Sequence, residues 1–296
     1  MSQPRKTIRG IAVEAGDYLS DLIFRCLIGY ALRLPYEKRV RFLGKVVDRL
    51  IAPLAGWRKR IRDNLNSVMP ELSASEVEKL VHAVPDTAGR MIIELYSNRE
   101  FNERAQNSPI SGPGLSALKK AHKEGRPILL VTGHFGNFVA VRPAFATLGI
   151  PVGVLYRAQT NRHFNRHYVA AIESQGTPNF EEGKRGMVQM VKYLRKSGVL
   201  GILTDVHVHN APRLDFLGQP AATSIATAEM ALKYDAALIP VYAIRQSNGY
   251  DFEIFVDEEI PHSEPIEMTK AINRSLECMV RAHPEQWFWI HRRWKN

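Results

Sequence analysis

A chain of 296 residues, 45% apolar and 24% charged, can bury a sizeable core and is too hydrophobic for an intrinsically disordered protein. Two cysteines, Cys26 and Cys278, far apart and without metal spacing, exclude a disulfide framework and point to a reducing compartment, with Cys26 expected to be a small buried residue. The net charge of +10 is unevenly placed: residues 1–63 hold 14 Lys/Arg against 6 Asp/Glu, which predicts an anionic partner or, more simply, a solvated basic face.

In chain order, residues 15–56 read as helices. Leu19, Leu22, Ile23, Cys26, Leu27, Tyr30 and Leu34, then Val40, Leu43, Val46, Val47, Leu50 and Ile51, recur every three to four residues with Arg and Lys between them. The longest apolar run, Leu22 to Leu32, contains Arg25 and is too short for the ~20 apolar residues of a bilayer span. Two expectations stay open for this face: lying in a membrane interface, or packing on the core. Residues 57–106 continue helical, with a helix start at Ser73-Ala74-Ser75-Glu76. Ser111-Gly112-Pro113-Gly114 breaks the pattern and divides a basic helical region, 1–110, packed on the core, from an α/β core, 111–296. Strands are predicted at 127–132, 152–156, 199–204, 237–244 and 251–257, and helices near 115–124, 137–148, 184–197 and 222–234. That alternation predicts a mostly parallel central sheet flanked by helices.

Ligands of such sheets gather at the carboxyl ends of the strands. His134, Arg157 and Asp205 each follow a predicted strand end, so three reactive side-chain types converge on one edge. His134 has the titration range of a general base. Gly133 and Gly136 allow close backbone approach, and the N–H groups of the helix that follows are candidates to hold an anion or oxyanion. No G-x-S-x-G, G-x-x-x-x-G-K-[ST] or H-E-x-x-H motif is present. Asp205, His207 and His209 alternate on one face but lack a fourth ligand, which disfavours a metal site. The basic N-terminus lacks the interleaved aromatics of a nucleic-acid surface, so nucleic acid is not an expected partner.

Gly133-His134-Phe135-Gly136-Asn137 resembles the first motif of the bacterial lipid A biosynthesis (lauroyl/myristoyl) acyltransferases, a branch of the lysophospholipid acyltransferase superfamily. Four further segments agree in order: Leu155-Tyr156-Arg157, Gly201 to Asp205, Phe216 to Thr223, and Pro284 to Lys295. The resemblance runs from about residue 20 to the end. It implies a glycerolipid acyltransferase-like fold with an N-terminal membrane-associating segment. The implied reaction moves a fatty acyl group from an acyl carrier protein thioester, or a coenzyme A thioester in relatives, to a hydroxyl of a lipid A precursor or related glycolipid or lysolipid. It places the chain at the cytoplasmic face of the bacterial inner membrane, on anionic lipid, with no metal and no cofactor beyond the acyl thioester co-substrate. By the same resemblance His134 is the general base, Asp205 belongs to the catalytic set, and Arg157, Gly136, Asn137, Phe216, Gly218 and Thr223 bind substrate. The closing tryptophans are expected in the core or the interface, and the closing arginines at headgroups.

Two positions depart from the family pattern. Its H-x-x-x-x-D/E puts an acid where this chain has Val139, and the Gln after its aspartate is Val206 here. Positions five apart on a helix point about 140° from each other, so a direct pair would need the histidine in the preceding loop. Asp205 is the expected substitute, orienting His134 from a neighbouring strand. The alternative is an impaired or inactive lipid-binding homologue.

Overall fold

The computed structural model describes residues 8–295, with side chains from residue 14. The N-terminal third is helical: α1 (Ile8–Leu32), α2 (Tyr36–Val46), a π-helical turn (Val47–Ile51), α3 (Ala52–Leu54), α4 (Trp57–Val68), α5 (Ala74–Tyr96) and α6 (Asn98–Gln106). The predicted start of α5 is a capping box: Ser73 Oγ accepts from the Glu76 N–H at 3.3 Å, and the Glu76 carboxylate accepts from the Ser73 N–H at 2.8 Å.

From residue 110 strands and helices alternate: β1 (Ile110–Ser111), α7 (Leu115–Lys123), β2 (Ile128–Thr132), α8 (Val141–Ala146), β3 (Val152–Tyr156), α9 (Arg162–Glu173), β4 (Asn179–Glu181), α10 (Lys184–Leu194), β5 (Val199–Leu203), β6 (Arg213–Phe216), β7 (Gln219–Ala222), α11 (Ala226–Tyr234), β8 (Ala237–Arg245), β9 (Phe252–Val256) and α12 (Pro265–Ala282). The sheet order is β1-β9-β8-β2-β5-β3-β4, and every pair is parallel except β8–β9. All five predicted strands are present. The short edge strands β1 and β4, the β6–β7 hairpin, α9 and α12 are additions to the predicted set. The predicted 137–148 helix is a 3-10 turn (Phe138–Ala140) running into the shorter α8.

Alternation along the central strands explains the layering. Ile128 and Leu130 of β2 face one way, into a core shared with Val40 and Leu43 of α2, Ile93 of α5 and Phe101 of α6. Leu129 and Val131 face the other way, against Met190 and Leu194 of α10, Ala228 and Ala231 of α11 and Ile272 of α12. The N-terminal helices thus form one of the two layers covering the sheet.

The apolar face read across α1 and α2 divides. Val40, Leu43 and Val47 are buried, whereas Leu19, Ile23, Tyr30, Leu50 and Leu54 are exposed, Leu54 to 90%. Cys26 lies on the open side of α1 and is exposed, not buried as expected, because Phe24, Leu27 and Ile28 face the protein instead. Among the described residues no helix is long and apolar enough to cross a membrane.

Candidate active site

His134 stands just past the carboxyl end of β2, and Asp205 just past that of β5, its hydrogen-bonded neighbour. Two glycines shape the turn. A Cβ on Gly133 would come 2.8 Å from Leu276 and 3.0 Å from an Asp205 carboxylate oxygen. Gly136 has φ +56°, and a Cβ there would strike the Ala243 carbonyl. These contacts let the chain turn sharply while β2, β5 and β8 stay packed.

The Asp205 carboxylate is fully buried and receives three donors. His134 Nδ1 donates to Oδ1 at 2.8 Å, the His134 backbone N–H to Oδ2 at 2.7 Å, and Trp287 Nε1 to Oδ2 at 2.9 Å. Fixing the proton on Nδ1 leaves Nε2 as the basic nitrogen, without a hydrogen-bond partner among the described residues. Burial pushes the His134 pKa down, but the charge and hydrogen bond of Asp205 outweigh it, and the value lies above the ordinary one. Burial works to raise Asp205, yet the His134 interactions hold its carboxyl well below the usual range.

Val139 points elsewhere. It sits in the 3-10 turn, half-buried against the core between the sheet and the N-terminal helices. The imidazole nitrogen that an acid would orient is already bonded to Asp205. Asn137 is wholly buried: its Nδ2 donates to Glu94 at 2.8 Å, and its Oδ1 accepts from the Val139 N–H at 3.2 Å. Glu94 of α5 in turn forms a buried ion pair with Arg245 of β8, at 2.5 and 2.6 Å. Gln286 braces the same region, accepting from the Arg245 N–H at 2.8 Å and, through its carbonyl, from the Gly136 N–H at 2.8 Å. The expected row of open N–H groups after His134 is therefore largely closed. Gly136, Asn137, Val139 and Ala140 all donate internally, because the loop is laced to β8 and to the C-terminal segment.

The other candidates spread out. Arg157 is exposed at the end of β3, bonded to Glu182 at 3.0 Å, and stands two strands from β2, about 10 Å away at the usual strand spacing. Phe216 is buried against Trp287 and Trp294. Gly218 makes the two-residue β6–β7 turn with Leu217, at φ +76° and +55°. The Thr223 hydroxyl receives Arg293 Nη2 at 2.6 Å. Arg293 is itself wholly buried, donating also to the Ala222 carbonyl at 2.9 Å, so of the closing arginines it cannot meet a headgroup. Phe216, through Trp287, and Thr223, through Arg293, brace the surroundings of Asp205, whereas Gly218 is exposed at the hairpin turn.

Sequence reading missed Glu94, Arg245 and the roles of Trp287 and His291. Only the closing motif signalled the last two. His291 brings its ring centroid to 4.5 Å from that of His134. His134, Asp205 and His291 offer ligand atoms within 4.8 Å of one another, the one such group among the described residues, and His207 and His209 are not part of it. With both Asp205 oxygens engaged by three donors, the arrangement is that of a hydrogen-bonded pair. Beside it runs a small cavity of about 60 Å³, lined by Val84, Ala88 and Met91 of α5 and by Phe138 and Phe288, that reaches His134 and Gly136.

An imidazole base oriented by a buried carboxylate, beside an apolar cleft, is equipped to activate a hydroxyl near a hydrocarbon chain. Comparison with known proteins points to lipid acyltransferases. The chain is 26% identical over 279 residues to the lipid A biosynthesis lauroyltransferase of Escherichia coli K12, covering 90% of this chain and 88% of that one. It is 23% identical over 279 residues to the palmitoleoyltransferase of the same organism, with 90% and 87% covered. It is 21% identical over 305 residues to the phosphatidylinositol mannoside acyltransferase of Mycobacterium tuberculosis (strain CDC 1551 / Oshkosh), with 98% and 91% covered. The model of the bacterial lipid A biosynthesis acyltransferases matches residues 15–296, and the chain belongs to that family of acyltransferases.

Proposed function

We propose that the chain transfers a fatty acyl group from a thioester, on an acyl carrier protein or coenzyme A, to a hydroxyl of a lipid A precursor or related glycolipid, with His134 as general base. The observation that carries this is the 2.8 Å bond from His134 Nδ1 to Asp205, which supplies the orienting carboxylate that Val139 does not. It favours an active enzyme over an inactive lipid-binding homologue. His134 Nε2 takes the proton of the acceptor hydroxyl as the oxygen attacks the thioester carbonyl carbon. Collapse of the adduct breaks the C–S bond, and the proton passes from His134 to the departing sulfur.

The apolar lining beside His134 suits the carbonyl end of an acyl chain, and Arg157 on the same sheet edge suits an anionic group of donor or acceptor. Exposed Leu19, Ile23, Tyr30, Leu50 and Leu54, among the basic residues of α1 to α3, support a shallow seat on anionic lipid at the cytoplasmic face of the inner membrane. Mass spectrometry of lipids from cells with and without the chain tests the reading. A glycolipid one acyl group heavier, present only with the active chain, is expected; identical lipids in both would refute it.

A further inference from the structure

The His134–Asp205 pair leaves a second imidazole unexplained. His291 packs edge-to-face on His134, with centroids 4.5 Å apart and planes at 72°. Its Nε2 is buried and has no hydrogen-bond partner among the described residues. Its segment is held in place: Asn64 Nδ2 of α4 donates to its carbonyl at 3.1 Å. An unpaired buried nitrogen costs about 1–3 kcal/mol, and such an exception calls for a reason. The groups acting on the ring are Asp205, His134 and Arg293. Burial first, then the charge of His134, push its pKa down to about 4 against the opposing pull of Asp205, so the ring is neutral at physiological pH and offers one N–H donor.

The reaction has a place for that donor. Addition to a thioester carbonyl puts negative charge on its oxygen, which backbone N–H groups commonly stabilise. Four of the nearby ones are engaged: Gly136 with the Gln286 carbonyl at 2.8 Å, Asn137 with that of Ala243 at 3.1 Å, Ala140 with that of Asn137 at 2.8 Å, and Phe288 with that of His134 at 3.0 Å. Phe288 lines the cleft and packs against the His291 ring at 4.8 Å, so that ring lies one side chain from the space open to substrate.

We propose that His291 is a second catalytic residue, whose Nε2–H donates a hydrogen bond to the thioester carbonyl oxygen once the incoming substrate moves Phe288 aside. This rests on the acyl-transfer reading above. As the hydroxyl oxygen bonds to the carbonyl carbon, its proton goes to His134 and the π pair moves onto the oxygen facing His291. When the C=O reforms, the C–S bond breaks and the thiolate leaves with the proton from His134. His291 gives up no proton. It acts as a neutral electrophile, a role neutral imidazoles can fill.

The test is steady-state transfer by His291→Phe, which keeps the ring without a donor, and His291→Gln, which restores one. For His291→Phe, kcat should fall about 10²–10³-fold, the usual cost of an oxyanion donor, with KM and the melting temperature nearly unchanged. His291→Gln should recover a large part of that loss. Rates near wild type in His291→Phe, or equal losses in both variants that follow their melting temperatures, would overturn the assignment. If His291→Phe does not fold, ¹⁵N-histidine spectra of the wild-type protein decide: a ketone analogue of the thioester should shift the His291 Nε2 signal, and an unmoved signal overturns the proposal. A wild-type protein that transfers nothing would fail at the acyl-transfer reading instead, which keeps the two failures apart.

Discussion

Replacing Asp205 by Asn separates an orienting carboxylate from a packing residue. The asparagine side chain has nearly the same shape, but the native carboxylate receives three donors, at 2.7, 2.8 and 2.9 Å, with no donor of its own. The amide can accept at its oxygen from the His134 backbone and Trp287. Its NH₂ then faces His134 Nδ1 and moves the imidazole proton to Nε2, the nitrogen that must be empty to act as base. A wrong tautomer in a comparable triad costs on the order of 10⁴ in kcat, which is about 5.5 kcal/mol of barrier. The pH profile should move as well. His134 is held above its ordinary pKa by Asp205, so wild-type activity, which needs the neutral base, falls as pH drops through a limb above 6.5. Without the carboxylate charge, burial alone remains and the limb moves down. The assay is transfer of labelled acyl from a thioester to a glycolipid between pH 5 and 9. An Asp205→Asn enzyme within a few-fold of wild type and with an unmoved limb would refute the orienting role.

Val139→Asp should not raise activity, because position 139 packs against the core; burying an acid there should cost about 1–3 kcal/mol in urea unfolding, and a tenfold gain in rate at unchanged stability would contradict this. Arg245→Met should lose about 3–5 kcal/mol by leaving Glu94 charged without its cation, while Glu94→Met/Arg245→Met together should regain part of it, the buried Asn137 amide then lacking its acceptor; a double variant no more stable than the single would count against an uncompensated charge as the source of the loss. His291 is held to a pKa of about 4, below its unfolded value, so its share of stability is complete above pH 6.5 and is lost as pH falls toward 4, by about 3 kcal/mol; His291→Phe should flatten that part of the stability–pH curve. Leu19→Ser/Ile23→Ser/Leu54→Ser should reduce sedimentation with anionic vesicles without lowering the melting temperature, since all three are exposed; unchanged binding would remove these side chains from the membrane seat.

The residues explain why parts of this were legible in the sequence and parts were not. β2 and β8 are apolar runs buried on both faces, β5 is an apolar run buried at its start, and β2 ends in two glycines that the packing demands, so the strand ends carrying His134 and Asp205 stand out. β4 is three residues of Asn, Phe and Glu on a sheet edge, with no period to read. The β6–β7 hairpin turns at Leu217-Gly218, and nothing local announces a leucine at φ +55°. α9 carries a local signal in the sequence: Asn161 caps it, accepting from the N–H groups of His163 and Phe164. The Glu94–Arg245 pair and the approach of His291 to His134 join residues more than a hundred positions apart, and neither follows from spacing. The same limit applies to the packing of Phe216 on Trp287 and of Thr223 on Arg293, which joins residues about seventy positions apart. Val139 drew attention as a missing acid; the geometry supplies Asp205 in its place.

The most direct test of the central claim is single-turnover transfer by purified protein, with a labelled acyl thioester and a glycolipid acceptor, comparing wild type with His134→Ala. An ester-linked product is expected from the wild type and a loss of at least about 10³-fold in the variant, with binding of the acceptor retained. Equal transfer by both, or none by a folded wild-type protein that still binds the lipid, would contradict it.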